Sequence, residues 1–166
     1  MKRNYDRIAG LAAKATGDRA TRMRLLVDTL WDELSTAGVS WVGFYLDQPG
    51  APDDQRMILG PSRNTPACSP IGLFGVCGQS LTSRSVRIVR DVAELGDNYI
   101  ACDPRDRSEI VLPLFEESIE KNPHAPCWGV LDVDSWEVGA FDEQDAEGLS
   151  RALTAAGFHT TAPACA

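Results

Sequence analysis

Residues 40–46 read SWVGFYL, and their period of two sends Trp41, Gly43 and Tyr45 to one side and Val42, Phe44 and Leu46 to the other. The second set is apolar and belongs against a packed core. The first carries two aromatics with polar tips, so the sheet holding this strand has two unlike faces. Upstream, Met23, Val27, Leu30, Trp31 and Leu34 recur at three- and four-residue steps, with Gly38 just beyond. This is an amphipathic helix with a glycine stop.

Downstream, DQPGAPDD (47–54) has turn composition, and QRMILG (55–60) reads as the second strand of a hairpin. PSRNTPACSPIGLFG (61–75) is a loop, VCGQSLTSR (76–84) a short helix and SVRIV (85–89) a strand. The Gly, Asn, Asp and Pro content of AELGDNYIACDPRDR (93–107) makes it irregular and puts Cys102 on a loop. SEIVLPLF (108–115) and CWGVLDVDS (127–135) are strong strands, joined by the charged, exposed connection EESIEKNPHAP (116–126). In FDEQDAEGLSRALTAAGF (141–158), Asp142 is the N-cap of a closing helix, with Asp145 three residues on and Leu149, Leu153 and Ala156 at helical spacing before Gly157.

Helices at both ends with five or six strands between them give an α+β domain. Its central antiparallel sheet carries the N- and C-terminal helices on one face and loops, the carriers of any function, on the other. One domain spans 1–166: helices over about 1–37, a core over about 39–157 and a short tail at 158–166.

Composition narrows the partners. With 16 Lys and Arg against 24 Asp and Glu, the net charge of −8 repels nucleic acid and anionic membrane surfaces. Asp6 and Lys14 interrupt the N-terminal stretch before an apolar run develops, so it reads as neither signal nor anchor, and the expected location is cytoplasmic. Five cysteines form an odd set, expected to be mostly reduced at rest. No Cys-x-x-Cys pair occurs and His124 and His159 stand apart, so no metal site is expected.

Pattern alone leaves two readings of Cys68, Cys77 and Cys102: small apolar residues, or reactive thiols. Arg105 and Arg107 would favour a Cys102 thiolate against Asp103, and a helix start would favour one at Cys77. Asp132 and Asp134 lie two apart on a strand and share a face, either as a repelling pair that retains a proton or as a solvated strand end. Glu109 alone reads as an exposed strand residue. Cys127 is expected to be buried and inert, and Cys165 to lie in a frayed tail.

Taken in order, WVGFYL, LGPSRNTPAC, GVCG, YIACD, SEIVLPLF, GVLDVDS and FDEQD resemble the stand-alone GAF-domain enzymes known as free methionine-(R)-sulfoxide reductases, over roughly residues 39–157. The resemblance implies a GAF-like fold. It also implies reduction of free L-methionine (R)-sulfoxide, with Cys102 as the nucleophile that becomes a sulfenic acid, Cys68 as the resolving thiol and Cys77 as an auxiliary thiol. The resulting disulfide would be recycled by thioredoxin, with electrons from NADPH through thioredoxin reductase and no bound cofactor. Glu109, Asp132 and Asp134 match the family's acidic pocket residues. Glu109 and Asp134 are assigned to the sulfoxide oxygen and Asp132 to the α-ammonium, while Trp41 and Tyr45 match the aromatic wall. A homodimer through the terminal helices and a role in oxidative stress come with the resemblance.

Two intervals depart from the family pattern by one residue each: nine residues from Cys68 to Cys77 and twenty-five from Cys77 to Cys102. The 116–126 connection is also longer than the family's turn. The competing functions are a small-ligand GAF sensor and a thiol redox switch without a substrate pocket.

Overall fold

The computed structural model describes residues 2–162. In chain order the elements are α1 (Tyr5–Ala12), α2 (Arg19–Leu34), β1 (Trp41–Asp47), β2 (Met57–Arg63), α3 (Val76–Ser83), β3 (Arg87–Val89), β4 (Ser108–Phe115), β5 (Cys127–Ser135), α4 (Glu143–Ala155) and β6 (His159–Thr160). The antiparallel sheet runs β2-β1-β5-β4-β3, and β6 pairs with the far end of β4 through Leu114 and Phe115. This is an α+β architecture.

The period of two in β1 fixes which side is which. Val42 and Phe44 join Ile110, Leu112 and Leu114 of β4 and Leu131 and Val133 of β5 in one core, closed by α1, α2 and α4. Helix α2 supplies Met23, Leu26, Val27, Leu30 and Leu34 to it, starts on an Asp18 cap and gives way to a short 3-10 turn before Gly38 at φ +90°. On α4, Asp142 and Asp145 form a reciprocal capping box. Gly148 lies under the Tyr5 ring, which a Cβ would strike. The opposite face holds a second cluster: Trp41, Tyr45, Val111 and Val130 under α3 and the loops.

Two boundaries differ from the sequence reading. Strand β2 continues through Pro61, Ser62 and Arg63, which composition assigned to a loop; it is an edge strand, where a missing N–H costs no ladder bond. The expected tail at 158–166 begins with structure instead, because buried Phe158 anchors it and β6 pairs with β4. Residue Cys165 lies outside the described residues. No helix among the described residues is long and apolar enough to cross a membrane.

Candidate active site

The register of three strands assembles the floor. Trp41 of β1 opposes Asp134 of β5, which opposes Glu109 of β4; one pair further on, Gly43, Asp132 and Val111 form the next row. All six positions face away from α1, α2 and α4. The Trp41 ring folds back over Gly43, where a Cβ would strike both the indole and Ser62. Glycine is therefore required there, and it lets Trp41 stack at 5.9 Å on Tyr45.

Glu109, Asp132 and Asp134 bring carboxylate oxygens within 4.8 Å of one another. Glu109 and Asp132 are 5% and 6% exposed, so the expectation from strand pattern alone that Glu109 is solvated is overturned: α3 and the loops cover this face. Glu109 Oε1, Asp132 Oδ1 and Trp41 Nε1 are buried without a hydrogen-bond partner among the described residues. Burial is the main cause that raises all three acids. Asp132 is pushed up to about 7, held back by a hydrogen bond from Cys77. Glu109 rises well above the usual carboxylate range through burial and Asp132, and Asp134 through burial, Asp132 and Glu109.

Two loops roof this floor. Cys68, between β2 and α3, and Cys102, between β3 and β4, form a disulfide with their Cα atoms 5.4 Å apart, inside the reach a bridge requires. The one-residue shifts in spacing are absorbed within the loops. Tyr45 donates its hydroxyl to the Cys68 carbonyl at 2.8 Å, and the Ser69 hydroxyl accepts the Leu59 N–H at 3.1 Å, which tie the first loop to the sheet. The second loop is fixed beside Cys102 by Asp103, which accepts from Arg105 and from the Trp136 indole. Arg105 also lies over the Trp136 ring at 4.2 Å.

These pairings revise the expected electrostatics of the thiols. Arg105 is committed to Asp103, and Arg107 reaches Asp91, so both guanidiniums expected beside Cys102 have carboxylate partners of their own. Cys77 does sit in the first turn of α3, but burial and the neighbouring acids push its thiol up. Its Sγ donates to Asp132 Oδ2 at 3.2 Å, so the helix start does not make a thiolate. Cys127 is half-buried rather than enclosed, and is not part of the pocket wall.

Between roof and floor lies a cavity lined by Trp41, Tyr45, Cys77, Cys102, Glu109, Asp132 and Asp134, together with Asp106, Tyr99 and Ile100. Cys68 belongs to the bridge above it. About 40 Å³ is open to the centre of a water molecule, room for roughly three waters at the ~10–15 Å³ each needs. Sequence reasoning missed Tyr99, Ile100 and Asp106, because a Gly/Asp/Pro-rich loop carries no periodicity to show which side chains turn inward. The 116–126 connection joins β4 to β5 at the end of the hairpin opposite to the acids, where Arg84 donates to the Pro123 and Ala125 carbonyls.

No family model matches the chain. A free methionine-R-sulfoxide reductase of Escherichia coli is 34% identical over 151 residues, covering 90% of this chain and 79% of that protein. Among solved structures, the reduced form of fRMsr of Staphylococcus aureus superposes with a TM-score of 0.78 at 31% identity, covering 93% of this chain and 94% of that one. The free methionine-R-sulfoxide reductase of Neisseria meningitidis, solved in complex with its substrate, gives 0.73 at 31% identity, covering 92% and 84%. With a relative of this identity covering most of both chains, and GAF-fold neighbours sharing its sheet and helices, the chain belongs to the free methionine-R-sulfoxide reductase family.

Proposed function

We propose that the protein reduces free L-methionine (R)-sulfoxide to methionine, with Cys102 as nucleophile and Cys68 as resolving thiol. The observation that carries this reading is a cysteine bridge lying directly over a buried cavity floored by three acids, two of which have an oxygen without a partner. The Cys102 sulfur attacks the sulfoxide sulfur. The S–O oxygen passes to Cys102 as a sulfenic acid, and methionine leaves with its sulfur reduced by two electrons. Cys68 then attacks the sulfenic sulfur, forming the disulfide and releasing one water. A thioredoxin-type dithiol returns both thiols by exchange, its electrons drawn from NADPH through thioredoxin reductase.

The acids supply what this chemistry needs. A sulfoxide oxygen leaves readily only if it is protonated as sulfur is attacked, and burial shifts Glu109 and Asp134 toward the protonated form, which can donate. Trp41 and Tyr45 offer an aromatic wall to the S-methyl group. Cys77 hydrogen-bonds to Asp132 and serves as an auxiliary thiol without a redox partner of its own. The reading also includes a cytoplasmic homodimer paired through the terminal helices and acting under oxidative stress.

NADPH consumption in the presence of free methionine-(R)-sulfoxide, thioredoxin and its reductase tests it. The parent should turn over, Cys102→Ser should not, and Cys68→Ser should release about one methionine per chain and then stall. A ligand sensor would consume no NADPH, and a redox switch would respond to peroxide but not to the sulfoxide.

A further inference from the structure

The cavity wall holds a fourth carboxylate, Asp106, from the segment between Cys102 and β4. It is 8% exposed. Two arginines flank it in sequence and neither pairs with it: Arg105 forms a fork on Asp103 at 3.0 and 2.9 Å, and Arg107 reaches Asp91 at 3.5 Å. Among the described residues its side chain has one hydrogen bond, from the Ser40 hydroxyl to Oδ1 at 3.3 Å. A carboxylate this enclosed, with one long bond from a neutral donor and no cation, is costly to keep ionised. The wall contains no Lys, Arg or His, so beyond the field of Arg105, which is paired to Asp103, a positive charge in contact with Asp106 inside the cavity would be a ligand's.

Position favours this use. Ser40 precedes Trp41, and its N–H bonds to the Asp134 carbonyl, so Asp106 stands at the Ser40 end of the Trp41–Asp134–Glu109 row. We infer that Asp106 receives the primary ammonium of the amino-acid substrate, leaving Glu109, Asp132 and Asp134 to the sulfoxide oxygen. This rests on the reductase reading and moves the ammonium from Asp132, where the family resemblance put it.

The charges around Asp106 fit the division of labour. Burial first and Asp103 second raise it to about 6, against the Ser40 bond and Arg105, while Asp132 is pushed up to about 7 and Glu109 and Asp134 rise well above the usual range. Tyr99, Tyr45 and Cys77, the remaining titratable groups of the wall, are raised and stay neutral. Asp106 therefore gives up its proton more readily than the acids of the floor, and at pH 7 it is mostly ionised. An amide nitrogen, as in a peptide-bound or N-acetylated methionine sulfoxide, offers it no charge.

Asp106→Asn keeps the size and the Ser40 acceptor while removing the charge. In thioredoxin-coupled assays its KM for the free sulfoxide should rise about tenfold or more with kcat within about threefold, while KM for N-acetylmethionine sulfoxide stays unchanged. The preference for the free amino acid then collapses, and the acidic limb of kcat/KM near pH 6 disappears. Asp106→Glu should restore part of the KM. An unchanged KM, or an equal loss on both substrates, overturns the inference. If the parent reduces neither sulfoxide, the reductase reading fails by itself. Calorimetric binding of L-methionine against N-acetyl-L-methionine to parent and Asp106→Asn then decides the ammonium role: tighter binding of the free amino acid that the variant loses supports it, and equal binding overturns it.

Discussion

Glu109 shows how far single residues can be read. Its neighbours mark a strand, and alternation gives its side, but nothing within SEIVLPLF says that the side is roofed; burial comes from α3 and from loops distant in sequence. Asp132 and Asp134 were legible as a same-face pair from their spacing, and Trp41 with Tyr45 likewise. Asp106 was not, since DPRDR reads as a solvated run until the two arginines are seen to turn elsewhere. Glu109→Gln should lower kcat by about a hundredfold or more if it donates the proton, measured by single-turnover methionine release. Gly43→Ala should drive the Trp41 ring off its bed and cost about 1–3 kcal/mol by chemical denaturation, with a weaker apparent affinity for substrate.

Elements with a sustained period were the legible ones. Helix α2 and strands β1, β4 and β5 all carry regular apolar spacing over seven or more residues. A two-residue strand such as β6 has no period to find, and the Pro-Ser-Arg end of β2 resembles a turn until its edge position is known. Helix α3 was foreseen, but not its close seating: a Cβ at Gly78 would run into the Leu73 backbone. Gly78→Ala should therefore push α3 outward and take Cys77 with it, lowering kcat/KM along with thermal stability. Asp142→Ala, by contrast, removes only the cap of α4 on the far face and should cost about 1 kcal/mol with turnover unaffected.

At the scale of the molecule, one face of the sheet is ordinary core and the other encloses ionisable groups. Because Asp106, Asp132, Glu109 and Asp134 bind protons more tightly folded than unfolded, their contribution to stability is complete below the ordinary carboxylate range and is lost as pH rises, through about 6 for Asp106 and about 7 for Asp132, with Glu109 and Asp134 acting in the same direction. Scanning calorimetry of the oxidised protein should find Tm lower at pH 8 than at pH 5, by roughly 5–10 °C, and Glu109→Gln should flatten that slope. A Tm that climbs over this interval would contradict the assignment. The two-faced plan was visible in seven residues around β1, whereas the joining of Cys68 to Cys102 came only with the family resemblance, because the two aperiodic loops that meet there carry no periodic signal. That bridge has a kinetic consequence. While the bridge stands, the Cys102 sulfur that attacks the substrate is tied up, so the oxidised enzyme can turn over no further amino acid until a reductant has come and gone. Substrate and reductant must then alternate, never sharing the protein, and double-reciprocal plots at several fixed reductant concentrations should run parallel.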